Sequence, residues 1–279
     1  MKYFSAVVSD RETQATTLYP PYQILCSYHY WKTSKLRKLI PEYIKKGFTV
    51  FVDSGAFSAA NSGAEIDIDD YCKFIIETGA TYYASLDVFG NSEQTMKNHW
   101  YMVNTYNLKP IPTFHMGSPL SDLGPVIESN DYIALGGLVS SSGIMDHCDE
   151  VWQYILANKP NLKVHGFGLT NIELMDRYPW YSVDSSSFKS CKRFGRQNIL
   201  WNGYNFKTFS EKEYLILLEG EGMVFPVSED KKEQTILNKK RWFIYDLRSA
   251  QSYKLYAQHL GALNKKRGFP HLTAQTKLF

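Results

Sequence analysis

The sequence predicts an α/β protein, a (β/α)8 TIM-like barrel that carries a basic helical appendage at its C-terminal end. Three observations lead there. Short runs rich in β-branched and aromatic residues alternate with segments of helical pattern, as right-handed βαβ units and a parallel sheet require. Seven or eight such units fit within about 230 residues, the usual size of an eight-stranded barrel. The competing doubly wound open sheet usually carries a Gly-rich phosphate loop after its first strand, and neither GxGxxG nor GxxxxGK[ST] occurs.

The first candidate strand is Gln23–Tyr30, followed by a helix over Lys35–Lys46 that Gly47 closes. Thr49–Ser54 is the next strand, and its helix, Ile68–Thr78, stops at Gly79. Thr81–Asp87 leads into a helix over Glu93–Tyr106, and Ile111–Met116 is the fourth strand. Tyr132–Val139 precedes helix Asp149–Ala157, which Pro160 ends; Lys163–Leu169 precedes helix Asn171–Arg177. Trp180–Ser185 is the seventh strand, and an eighth is expected at either Asn198–Tyr204 or Met223–Val227. From about Ser228 to Leu263 the pattern is one or two basic amphipathic helices, with Ile236, Leu237, Phe243, Ile244 and Leu247 at helical spacing. The expected organisation is a catalytic barrel over residues 1–227 with a basic helical segment, 228–279, packed on it.

Composition narrows the class. The chain has 279 residues, 44% hydrophobic and 21% charged, which suits one large globular domain with ample core. Aromatic residues make up 15%, so disorder and collagen-like or coiled-coil architectures are excluded. No apolar run approaches the roughly 18–20 residues that cross a bilayer. The apolar patch Tyr3–Val8 is too short for a signal-peptide core, so the expectation is a soluble cytoplasmic protein without membrane contact. Cys26, Cys72, Cys148 and Cys191 are too widely spaced for a zinc knuckle and read as scattered reduced thiols.

The net charge of +3 hides an asymmetry. Residues 1–200 carry 18 Lys+Arg against 20 Asp+Glu, whereas residues 201–279 carry 13 against 8. Within 231–267 the count is ten basic to two acidic, which points either to a polyanion partner or to a solvated helix surface.

In a parallel barrel the chemistry gathers at the C-terminal strand ends. Here those ends read His29, Asp53-Ser54-Gly55, Asp87, His115, Gly136-Gly137, His165-Gly166-Phe167-Gly168 and Asp184 with three serines after it. Carboxylates and imidazoles in such places are costly to bury unless used or paired. Asp53 and Asp184, delivered from distant strands, are the minimum equipment for cleaving a glycosidic bond: one attacks the anomeric carbon, the other protonates the leaving group. Either could instead cap a following helix or turn. Gly136, Gly137, Gly166 and Gly168 remove side chains where a flat purine could slide against the backbone, with Phe57 stacked on its face and Asp87 accepting from its edge; strand bends would need the same glycines. His29, His115 and His165 invite a metal reading, but no closely paired ligand set accompanies them, so no metal is expected. Lys189, Lys192, Arg193 and Arg196 place four positive charges shortly after Asp184, suited to phosphates flanking a sugar under attack or to a solvated loop.

Taken together, these residues resemble the tRNA-guanine transglycosylase superfamily, and most closely its short phage-type branch, the DNA-guanine transglycosylases of the deazapurine DNA modification protein A family. DSGAFS at Asp53–Ser58 is similar to the superfamily's DSGG-F signature, and Asp87 in SLDVFGN to its base-recognising aspartate. ALGGLV (Ala134–Val139) and HGFGLT (His165–Thr170) are similar to its glycine-bearing strand ends, and SVDSSSF (Ser182–Phe188) to the nucleophile segment. The ordered set spans roughly residues 23–204.

The resemblance implies base exchange in DNA. Asp184 would be the nucleophile and Asp53 the general acid/base, and guanine would give way to a 7-deazaguanine such as preQ0 through a covalent glycosyl-aspartate. Ser54, Phe57, Asp87, His115, Gly136, Gly137, His165 and Gly168 would form the base pocket. No cofactor is implied beyond the incoming base. The DNA would be single-stranded or locally melted, by itself or by a partner protein, in the host cytoplasm if a phage encodes the chain. The chain departs from the tRNA enzymes in lacking their cysteine-rich zinc site, and it has Ala56 and Ser58 where the signature has Gly and Gln. The basic C-terminal helices, through Lys239, Lys240 and Arg241, would then supply the nucleic-acid platform. The alternatives are the same exchange on tRNA, a metal-dependent barrel hydrolase using the strand-end His and Asp residues, and a catalytically silent nucleic-acid-binding barrel.

Overall fold

The computed structural model describes residues 1–17, 20–88, 90–139, 143–201 and 205–269, without the side chains of Ser34 and Lys192. Eight parallel strands form one curled sheet: β1 (Lys2–Val7), β2 (Gln23–Ser27), β3 (Thr49–Asp53), β4 (Tyr82–Tyr83), β5 (Thr113–His115), β6 (Tyr132–Gly136), β7 (Lys163–Gly166) and β8 (Ser182–Ser185). Their order is β4-β3-β2-β1-β8-β7-β6-β5, so the first and last strands of the set are neighbours, a TIM-like arrangement. The regular ladder does not close. Between its edges lies a single bridge, Ala84–Ile111, in which Ile111 N–H donates to Tyr83 O (2.8 Å) and Ser85 N–H to Ile111 O (2.9 Å).

The strand missing from the sequence reading is β1. The patch read as too short for a signal peptide is a central strand, paired to β2 through Ser5–Ile24 and to β8 through Phe4–Asp184. Its six residues show no clean polar/apolar alternation because both faces are covered, as parallel strands demand: Phe4 packs inward, Tyr3 and Val7 outward. The two expected eighth strands are corrected accordingly. Arg196–Trp201 (β9) pairs antiparallel with Asn205–Ser210 (β10) in a separate two-stranded sheet, and Met223–Val227 forms no strand, with Val224 and Val227 largely exposed. The end of the Asn198–Tyr204 candidate, residues 202–204, lies outside the described residues.

The two-residue period of the strands sorts the core into two layers. Val50 and Val52, Ile133 and Leu135, Val164 and Val183 face the surrounding helices in the large outer cluster. Phe4, Leu25, Phe51, Ala84, Ile111 and Ala134 fill the inside, with Phe4 and Phe51 edge to face at 5.6 Å. The same alternation carries Asp53 inward two residues after Phe51, and Asp184 inward after Val183. Gly55, Gly79 and Gly195, all left-handed, begin or end the helices over Ala56–Ser62, Ile68–Thr78 and Ser190–Phe194.

The basic C-terminal segment is one helix, Lys231–Lys266, whose 36 residues span about 54 Å. Of the expected stripe, Leu237, Phe243, Ile244 and Leu247 are half-buried and Ile236 is 54% exposed, while the fully buried face is formed by Tyr245, Ser249, Tyr253, Tyr256, Ala257 and Leu260. These recur at helical spacing, but their hydroxyls and small side chains hide them from a hydropathy count. Tyr253 stacks on Tyr3 of β1 at 5.1 Å, which docks the second half of the helix on the sheet. The first half joins β9, β10 and the helix Glu211–Gly220 around Cys191, Phe209, Tyr214, Leu218 and Tyr245, a cluster drawing on both sides of residue 227. No helix among the described residues is long and apolar enough to cross a membrane.

Candidate active site

Each candidate side chain is delivered by a strand end. β3 presents Asp53, and the chain then turns sharply at Gly55, whose φ of +76° is left-handed. A Cβ there would lie 2.3 Å from Ser27 Oγ and 2.6 Å from His29 Cβ, so only glycine fits. The turn aims the Ser54 and Gly55 backbone N–H groups at the Asp53 carboxylate. Ser54 itself is fully buried, its Oγ accepting from Ala56 N–H at 3.3 Å. Phe57, one turn later, is 64% exposed at the rim.

Asp87 follows β4. Its Oδ2 lies 3.5 Å from His115 Nε2 at the end of β5, while its buried Oδ1 has no hydrogen-bond partner among the described residues. Gly136 makes room for that imidazole, because a Cβ there would sit 2.6 Å from His115 Nδ1. Asp184, at the end of β8, is buried and accepts from Gly168 N–H at 2.9 Å, with His165 Nε2 3.1 Å from the same oxygen, Oδ1. These partners lie on β7 and the loop beyond it, so Asp184 is not capping its own turn. Ser185 does that, its Oγ accepting from Ser187 N–H.

Eight of the ten expected catalytic and base-binding residues line one cavity of about 400 Å³: Asp53, Phe57, Asp87, His115, Gly136, Gly137, Gly168 and Asp184. Ser54 and His165 stand behind its wall. The sequence reading missed Leu25, Ala56, Val139 and Phe167, apolar lining that carries no motif of its own.

Asp53 shares the cavity with two further carboxylates, Asp87 and Asp184. Asp53 touches the cavity and is otherwise enclosed by protein. Loss of solvation raises its pKa to about 7, helped by the charges of Asp87 and Asp184 and opposed by the Gly55 and Ser54 N–H bonds. A carboxyl poised there can both give and take a proton at neutral pH. A second cavity, of about 550 Å³, lies at the N-terminal strand ends beside His99 and Trp100. Burial lowers the His99 pKa to about 4, its Nδ1 lies 2.9 Å from Ser85 Oγ, and that end of such folds serves stability.

The expected backbone-binding cations divide. Lys189, Arg193 and Lys239 line one groove of about 580 Å³ with Arg11, Trp242 and Phe243, where the first half of the long helix crosses the loops after β1 and β8. Lys189 is buried and paired with Glu12 at 2.6 Å, whereas Arg193 reaches Ser186 Oγ at 3.4 Å, two residues from Asp184. Arg196 and Lys240 are exposed and do not line this groove. Arg241 does not line this groove and pairs with Glu211 at 3.1 Å. The Lys192 side chain lies outside the described residues. Sequence reasoning missed Arg11, a single cation between Asp10 and Glu12 that only the fold joins to the others.

Among the described residues no group of three or more His, Cys, Asp or Glu side chains is placed to hold a metal ion. His29 lies in the short helix Tyr28–Trp31 after β2, whereas His115 and His165 stand at the ends of β5 and β7, beside Asp87 and Asp184 respectively. No protein-family model matches the chain, and no curated protein matches it either.

Proposed function

We propose that the protein is a base-exchange transglycosylase that replaces guanine in DNA with a 7-deazaguanine through a covalent glycosyl-aspartate, on a (β/α)8 barrel closed at the Ala84–Ile111 seam. The observation that carries this reading is one cavity holding two inward-facing aspartates in different environments: Asp53 raised to about 7, and Asp184 tethered by one oxygen to Gly168 and His165.

In the first half-reaction Asp184 attacks C1′, the C1′–N9 bond breaks, and Asp53 gives its proton to the departing guanine. The sugar is then esterified to Asp184. The incoming deazaguanine occupies the vacated slot and loses its N9 proton to Asp53 as N9 attacks C1′, and the ester C–O bond breaks to restore Asp184. Two inversions return the original configuration. Asp87 Oδ1, without a partner among the described residues, suits the amino and ring N–H edge of a purine, and the Gly136–Gly137 backbone leaves room for its plane. The groove with Arg193 and Lys239 suits the phosphates of the flanking strand, and a target base must be extruded or already unpaired to reach the cavity. No cofactor enters the scheme. It runs wherever DNA and free base meet, the cytoplasm of a cell or of a phage's host.

The test is nucleoside mass spectrometry of DNA and tRNA from cells making the protein with a deazaguanine supply, with Asp184→Ala as control. A deazaguanine deoxynucleoside that vanishes in the variant is expected. Modification confined to tRNA would replace the polymer in this reading. No modification, with the precursor shown to be present, would overturn it.

A further inference from the structure

Behind the His165–Asp184 contact runs a polar chain to which the steps above give no role. Tyr132 OH lies 2.6 Å from Ser182 Oγ, Ser182 Oγ lies 2.6 Å from His165 Nδ1, and His165 Nε2 lies 3.1 Å from Asp184 Oδ1. All three residues face inward by strand alternation, from β6, β8 and β7. His165 and Ser182 are completely buried, and the imidazole is walled by Phe4, Phe51 and Phe167, with centroids at 6.1, 4.7 and 4.6 Å.

Donor and acceptor capacity fixes the direction of this chain for a neutral imidazole. An ionised Asp184 only accepts, so His165 Nε2 carries the proton. Nδ1 is then an acceptor, and the Ser182 hydroxyl donates to it. The remaining lone pairs of Ser182 accept from Tyr132, whose phenol burial holds protonated well above its ordinary range. Every donor therefore points toward Asp184. A single tautomer satisfies the network, which is how a histidine is fixed in orientation by the bond its other nitrogen makes.

Both donors to Asp184, His165 Nε2 and Gly168 N–H, meet the same oxygen. We propose that His165, oriented by Ser182 and Tyr132, is a positioning residue that engages Asp184 Oδ1 and so presents Oδ2 as the attacking atom. With Oδ1 held at two points the carboxylate cannot rotate to offer either oxygen at random, and the attack trajectory is set before substrate arrives. This rests on the reading of Asp184 as the nucleophile.

The test is single-turnover formation of the protein–DNA adduct on a guanine-containing single-stranded oligodeoxynucleotide, resolved on a denaturing gel. In His165→Leu the adduct should form roughly 10- to 100-fold more slowly, the worth of one hydrogen bond to a charged group, with the oligonucleotide concentration for half-maximal rate unchanged. His165→Gln, which restores a donor, should recover part of the rate. Tyr132→Phe keeps the ring and removes only the terminal donor, so it should slow the step a few-fold in a protein of wild-type fold. Wild-type rates in His165→Leu and Tyr132→Phe would overturn the proposal. So would equal losses in the Leu and Gln variants accompanied by lowered Tm, since that is a packing role. Absence of adduct in the wild type would instead overturn the nucleophile assignment itself.

Discussion

Replacing Asp53 by Asn removes a charge that the fold opposes, and the effect on stability has a defined sign and pH window. Unfolded, Asp53 ionises near 3.8; folded, it holds its proton to about 7, because its enclosure and the charges of Asp87 and Asp184 disfavour the anion. The unfolded state therefore sheds this proton first. The native state is penalised progressively as pH rises from 3.8, and fully above about 7. At ~1.4 kcal/mol per pH unit that interval corresponds to about 4 kcal/mol in total. About 3 kcal/mol of it falls between pH 5 and 8.5. Asn is the right probe because its side-chain oxygen can still accept from the Ser54 and Gly55 N–H groups, so the turn survives. Urea unfolding of both proteins at pH 5, 6, 7 and 8.5 reads the difference. The variant should gain on the wild type by about 3 kcal/mol across the series, with unchanged m-values. A stability difference constant to within about 0.5 kcal/mol would show that Asp53 ionises normally in the folded protein and would refute the reasoning.

In the proposed reaction the proton on Asp53 serves the first half-reaction, so single-turnover adduct formation should fall about tenfold per pH unit above about 7, and a flat profile from pH 6 to 9 would remove Asp53 as the acid. Gly136→Ala would drive a methyl to 2.6 Å from His115 Nδ1 and push the ring into the cavity; the concentration of free base for half-maximal exchange should rise at least about tenfold, measured by isotope exchange of guanine. Gly55→Ala combines a left-handed φ with a 2.3 Å approach to Ser27 Oγ and should cost about 2–4 kcal/mol in denaturant unfolding. Arg193→Glu and Lys239→Glu should each weaken oligonucleotide binding and flatten the salt dependence of log K by about 0.7 per lost phosphate contact; Arg241→Glu, facing Glu211, should lower Tm and leave that slope unchanged.

Much of the site was legible because it obeys local rules. A β-rich run ending in an aspartate and followed by small residues and a glycine marks Asp53 as a strand-end side chain, while the contacts with Ser27 and His29 that make Gly55 obligatory come from the fold. The same holds for Asp184 after Val183 and for His115 at the end of a β-rich run. What escaped was carried by residues without a local signature. β1 was overlooked because six residues covered on both faces resemble any short apolar stretch. The fully buried face of the long helix escapes the hydropathy pattern because Tyr245, Ser249 and Tyr253 pack through rings and small side chains rather than through aliphatic bulk. Arg241 stands in a run of three basic residues, and nothing within that run distinguishes the one that Glu211, 30 positions away, takes for itself.

The sequence by itself determined the α/β class, the strand ends that carry carboxylates and imidazoles, and the concentration of positive charge toward the C-terminus. These depend on backbone periodicity, turn conformation and composition, all set within a few residues. Only the tertiary structure decided which groups act on one another. Lys189 meets a carboxylate 177 positions distant, and the Tyr132–Ser182–His165 chain exists only in the register that aligns β6, β7 and β8. The proton on Asp53 likewise depends on how completely three separate strands and their loops exclude water from one carboxyl. Desolvation and charge coupling are sums over space, and only the fold specifies the distances in that sum.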